Sequence, residues 1–236
     1  MMNASPSTRL GMTVLAAALF VPIVLLLDGP SITRQLLLDG STAAFLWLVV
    51  RRTTVPARAI AIAIVIATIG EVVLSMIWHL YSYRSTPFVP LYVPFGHGLF
   101  YTLAAASAEW RRFERAIPAF VISAGSVIAV AQLLLMHDQW GLLWWIGAAV
   151  LIARSRNRLL LSICCVYTML LEWLGTALGN WRWAAEVPLL HLRSANPPSG
   201  VGILYILLDL ITVAIIGAWP MTYHWRPDDR TRTAAV

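Results

Sequence analysis

Two glutamates stand inside the most apolar stretches of this 236-residue chain, and each keeps the same company. Glu71 lies in AIAIAIVIATIGEVVLSMIWHLYSY, from Ala59 to Tyr83, and Glu172 in LLLSICCVYTMLLEWLGTALGNWRW, from Leu159 to Trp183. Each is followed by an aromatic pair two residues apart, Tyr81 and Tyr83 after the first, Trp181 and Trp183 after the second. A carboxylate in hydrocarbon is costly, so a glutamate at that depth is a candidate functional group by default. A neutral carboxyl in a dry, aromatic-walled space can protonate an alkene. A second, ionised one can steady the resulting cation or take a proton back, and tryptophan and tyrosine faces add cation–π stabilisation. The same acids would equally serve proton-coupled transport or lipid flipping, or fasten a non-catalytic subunit to a partner helix.

Other polar residues group around these two. Glu71, Ser75, Trp78 and Ser82 recur at helical spacing, with His79 beside them, and Glu172, Thr176, Gly179 and Trp183 do the same. Gly175 and Gly179 form a small-xxx-small pair, which predicts close approach of a neighbouring helix. Asp209 is a third acid at membrane depth, one turn beyond Tyr205. His97 lies between Gly96 and Gly98 with Tyr101 one turn further on, and Pro94 suits a helix's first turn. The expected cavity therefore has Glu71, Glu172 and Asp209 as its floor. Ser75, Trp78, His79, His97, Thr176 and Tyr205 form its walls, and the mouth carries Tyr81, Tyr83, Arg84, Trp181, Trp183 and Asn196. Glu71, Glu172, Asp209 and His97 are the expected catalytic groups, with Tyr101 and the wall and mouth residues binding substrate.

Only a membrane could position such groups in this chain. It is 59% hydrophobic and 12% charged, with mean hydropathy +0.75; soluble domains average about 25% charged residues. Apolar runs fall near 10–27, 36–50, 59–83, 91–108, 117–136, 139–153, 159–183 and 200–219, which predicts an all-α, polytopic helical bundle of eight transmembrane helices. With the N-terminus in the cytoplasm, 13 of the 17 basic residues, all arginine, lie on the cytoplasmic side, and only Arg34, Arg84, Arg182 and Arg193 lie outside. That bias puts both termini inside and makes the last stretch a solvated cytoplasmic tail. It also accounts for the net charge of +6 without nucleic acid.

Glu172 lies 101 residues after Glu71, Pro188 101 after Pro87, and Gly200 102 after Gly98. An offset of four helices predicts two parallel four-helix repeats, 1–116 and 117–236, related by an axis along the membrane normal.

Several chemistries are excluded. The absence of lysine removes Schiff-base mechanisms, and there is no Walker loop, HEXXH, GxSxG or CxxC. Five scattered histidines make no histidine box, and adjacent Cys164 and Cys165 point apart on a helix, so they suit neither a disulfide nor a metal pair. Neither metal nor cofactor is expected. The expected partners are membrane lipids and a lipophilic small molecule, and the composition says nothing of oligomeric state.

Glu71, then Tyr81-Ser82-Tyr83, then Val89-Pro90-Leu91-Tyr92-Val93-Pro94-Phe95-Gly96 resembles the integral-membrane carotenoid-biosynthesis family, which includes bacterial carotenoid 1',2'-hydratases. The resemblance covers about a third of the chain. It implies an enzyme of the bacterial inner membrane that hydrates or cyclises an isoprenoid alkene by acid catalysis, with Glu71 among its buried acids.

Overall fold

Runs of leucine, isoleucine, valine and alanine form helices here, the first of them with Pro22 inside it, and apolar helices gain most when their outer faces meet hydrocarbon. The computed structural model describes residues 6–108 and 113–217 and is mostly helical. Eight α-helices are present among these residues: α1 Pro6–Leu27, α2 Ile32–Val50, α3 Ala57–Glu71, α4 Val93–Ser107, α5 Ala116–Met136, α6 Gln139–Arg154, α7 Arg158–Ala177 and α8 Ile203–Ile216. Four segments are long and apolar enough to cross a membrane, Thr8–Leu27, Ala57–Ile77, Ala116–Met136 and Arg158–Ala177, and α8 is a shorter apolar helix. Their outward faces are greasy: Phe120, Val127, Leu134 and Leu135 on α5 are at least 70% exposed. An apolar surface of that kind is stable against lipid and costly in water. Arg111, Arg112, Arg226, Arg230, Arg232 and the C-terminal tail lie outside the described residues.

The helices carrying the two glutamates end earlier than their apolar runs. α3 passes into a π-helical turn, Val72–Ile77, and α7 stops at Ala177. The chain then extends into two short strands, β1 Tyr81–Tyr83 and β2 Trp181–Trp183, so the architecture is not purely helical. The strands pair antiparallel, Tyr81 opposite Trp183, Ser82 opposite Arg182 and Tyr83 opposite Trp181. The flanking bonds are reciprocal: Arg84 N–H donates to the Asn180 carbonyl at 2.8 Å, and Ala184 N–H to the Leu80 carbonyl at 2.8 Å. His79 (φ 57°) and Gly179 (φ 71°) turn the chain out of the two helices at matching places, and a left-handed φ is easy for glycine and strained for histidine. Around the ladder α3 packs on α8 and α4 on α7, while α3 also meets α4 and α7 meets α8.

The π turn has a sequence cause. Glu71 and Tyr81 are ten residues apart, whereas Glu172 and Trp181 are nine apart. One extra residue in a helix is absorbed as a π turn. It lets the first segment deliver its strand in the same place as the second.

Two buried aspartates tie down the loops near the ladder. Asp28, between α1 and α2, accepts from Gln35 Nε2 (2.7 Å) and Asn180 Nδ2 (3.2 Å). Asp138, the N-cap of α6 and fully buried, accepts backbone N–H groups from Gly141, Ala195 and Ser199 at 3.1, 2.8 and 2.8 Å. Asp138 thus fixes the loop that bears Asn196.

Candidate functional site

Alternation along a strand sends residues i and i+2 to one face. The ladder register therefore puts Tyr81, Tyr83, Trp181 and Trp183 together on the inner face. Ser82 and Arg182 stay exposed on the outer one. The four rings touch: Tyr81 and Trp183 centroids are 4.7 Å apart, Tyr83 and Trp181 6.2 Å. Their polar tips reach down to the two glutamates. Tyr81 and Tyr83 both donate to Glu71 Oε2 at 2.6 Å. Trp181 Nε1 and Trp183 Nε1 both donate to Glu172 Oε2, at 2.8 and 2.9 Å. The aromatic pairs expected at the cavity's mouth serve as hydrogen-bond donors to the two acids.

The surroundings of the two acids then diverge. Glu71 Oε1 lies 2.8 Å from His97 Nε2, and His97 Nδ1 lies 2.5 Å from the Tyr205 hydroxyl. Three donors converging on Glu71 replace water around a carboxylate. With Glu71 ionised, His97 donates from Nε2, Nδ1 is bare, and Tyr205 O–H donates to it. Glu172 has only its two indole donors. Among the described residues nothing hydrogen-bonds its Oε1, and Glu172 lines the cavity.

That cavity, about 250 Å³, is walled mainly by aliphatic and aromatic side chains and includes both glutamates, His97, Tyr205 and the four strand aromatics. Gly70 and Gly96 also line it, and a Cβ at either would meet no atom within 4 Å. Gly175 works in the opposite way: a Cβ there would come within 2.0 Å of the Trp181 ring. Its bareness seats Trp181 over Glu172, and the neighbouring-helix contact that its spacing suggested is not what it serves.

Several predicted residues lie elsewhere. Asp209 is 1% exposed but is absent from the cavity wall, and its Oδ2 has no partner among the described residues, so the three acids do not share one floor. Adjacent positions on a helix point about 100° apart. Leu208 therefore takes the cavity face of α8 and Asp209 turns away. Ser75 and Thr176 are satisfied by the carbonyls of Glu71 and Glu172 at 2.7 and 2.6 Å, the usual back-bond of a helical hydroxyl, and stay out of the wall. Trp78 donates to the Pro188 carbonyl at 3.0 Å and holds an outer loop. Tyr101 is buried in the core beyond the cavity. Arg84 donates to the Leu178 carbonyl at the end of α7, where a cation is favoured. Asn196 accepts from Trp183 N–H at 2.9 Å, positioning the ladder, and with His79 it lines a separate outer hollow.

Some wall residues carry no sequence signal. Phe20, Val21, Val24 and Leu25 of α1 are ordinary aliphatic and aromatic residues of a membrane run. Thr168 does have one: it lies one turn before Glu172 on the same face of α7.

Comparison with protein-family models, with curated proteins and with solved structures finds no match to this chain.

Proposed function

We propose that this chain is an integral membrane enzyme of eight crossings. It comprises two parallel four-helix halves, 1–116 and 117–236, with both termini in the cytoplasm of a bacterial inner membrane. It performs acid–base chemistry on an alkene of a lipophilic isoprenoid, by hydration or cyclisation. The observation that carries this reading is one apolar, aromatic-walled cavity holding two differently partnered glutamates and a Glu71–His97–Tyr205 chain. The reciprocal ladder and the offset of 101 residues support the two halves. The resemblance of residues 71–96 to the carotenoid-biosynthesis family supports the substrate class.

The arrangement divides the labour. Glu172, with Oε1 open to the cavity, protonates one alkene carbon, and the cation forms among the faces of Tyr81, Tyr83, Trp181 and Trp183. In hydration a water oxygen adds to the cationic carbon and loses a proton; in cyclisation a second alkene adds and a neighbouring carbon loses one. The proton leaves to the Tyr205 oxygen as Tyr205 passes its own to His97 Nδ1. The imidazolium so formed rests against the Glu71 carboxylate, and the cycle closes when its proton returns by way of Tyr205 to the Glu172 carboxylate on the same cavity wall. General acid–base groups of this kind contribute roughly 10²–10⁴-fold.

The test is expression of the wild type, Glu71→Gln and Glu172→Gln in cells that make or are fed acyclic isoprenoids, with mass spectrometry of the lipid extract. The expected result is a product heavier by one water, or an isomer, with wild type alone. An extract that wild type leaves unchanged across such substrates, with all three proteins folded, overturns the reading.

A further inference from the structure

We infer that the reacting molecule is an apolar chain longer than the cavity, which enters end-first from the bilayer through a window between α3 and α8 and leaves its remainder among the lipid tails. This rests on the reading above of a lipid-soluble substrate, and it specifies the shape of that substrate and its route.

Three observations carry it. The first is size. An apolar cavity of about 150 Å³ accepts benzene, so about 250 Å³ accepts a ring with a few further carbons, an end group and little more. The second is where the wall is thin. Among the residues lining the cavity only Leu207 and Ile211 are exposed, at 39% and 44%. They lie one turn apart on α8, on one face of that helix. On α3, which packs on α8, the lining residues Ala67 and Gly70 are small, and nothing occupies the space beside Gly70.

The third observation is what lies on each side. The window is flanked by the exposed apolar residues Val65, Ile69 and Ile215, and α3 belongs to a segment able to span a membrane, so it opens on hydrocarbon. The outer, aqueous direction is roofed by the β1–β2 ladder, with its rings turned in and Arg182 turned out. Among the described residues that line the cavity, the ionisable carboxyl and imidazole groups are Glu71, Glu172 and His97, all within it, and the lining contributed by Ala67, Gly70, Leu207 and Ile211 is uncharged. The portion left in the window is therefore plain hydrocarbon.

The test is photo-crosslinking in lipid vesicles with geranylgeraniol bearing a diazirine midway along its chain. Saturable adducts are expected on the peptides containing Ile66 to Gly70 and Leu207 to Ile211. Gly70→Trp should abolish them by filling the window. Leu207→Ala should increase them, which keeps the test decisive if the tryptophan variant does not fold. Glu172→Gln should leave them in place, because entry needs no acid. Adducts on α1, α2 or the outer loops, or none that saturate, overturn the inference. Correct adducts with no chemical product would sink the proposed reaction and leave the window standing, whereas product with adducts elsewhere would do the reverse.

Discussion

The two glutamates differ in what remains free on them. Glu71 is committed to Tyr81, Tyr83 and His97, and Glu172 keeps an oxygen for the cavity. If the Tyr205–His97 pair takes the proton away, Tyr205→Phe should lower kcat by roughly 10²–10⁴-fold with KM little changed. It should also cost about 1–3 kcal/mol in thermal stability, because a buried Nδ1 loses its donor. A fall in KM-dependent binding with kcat preserved would instead mark Tyr205 as packing only. Two glycines offer a matched comparison. Gly175→Ala drives a methyl into the Trp181 ring, so overpacking of about 1–3 kcal/mol is expected, together with loss of the Trp181–Glu172 bond. Gly70→Ala meets open space and should stabilise α3 by about 0.5–1 kcal/mol. Thermal unfolding of both variants in detergent measures the contrast, and equal effects would contradict it.

At the scale of elements, the π turn and the ladder deliver donors to acids. The apolar runs marked the helices, four of them in segments long and apolar enough to cross a membrane, and the company of Glu71 and Glu172 showed where polar groups would gather. The strands were not legible, because Tyr81 and Trp183 continue an apolar run and only cross-chain pairing makes them extended. Asp209 misled for a related reason: depth along a helix can be read from sequence, whereas which face looks inward depends on the packing of α7 and α8. Asp138 lies between two apolar runs and carries no signal of its own, yet it is a fully buried anchor, since two of its three backbone donors come from more than 50 residues away in the chain. The single extra residue between Glu71 and Tyr81 was present in the sequence, and its consequence is testable. Deleting Val73 removes the residue that the π turn absorbs. A helix advances about 100° per residue, so Glu71 and the β1 tyrosines can no longer both keep their places. Helix content by circular dichroism should survive while product formation is lost. Full activity would mean that the turn does not set this alignment.

Across the whole molecule, α4 and α8 are the two helices that follow the ladder strands in the chain, and both are short. α4 has 15 residues and rises about 22 Å, short of the ~30 Å hydrocarbon core. It follows β1 and its loop in the chain, and α8 follows β2 and its loop in the same way. A short helix with a covered, hydrogen-bonded approach can complete a crossing, because backbone at depth is tolerated where protein buries it. If the halves are equivalent units joined across the ladder and the α3–α8 and α4–α7 contacts, covalent linkage between them is dispensable. Residues 1–116 and 117–236 expressed together as separate chains should then copurify and form product, and neither alone should do so. The reciprocal bonds of Arg84 and Ala184 give this a graded form. Replacing either by proline removes one N–H donor and should weaken association of the two chains by about 0.5–1.5 kcal/mol, the Arg84 replacement by somewhat more because its side chain also donates to the Leu178 carbonyl. A large loss from one and none from the other would show that the halves meet through unequal contacts, and that the likeness of Glu71 and Glu172 does not extend to how the chain is assembled.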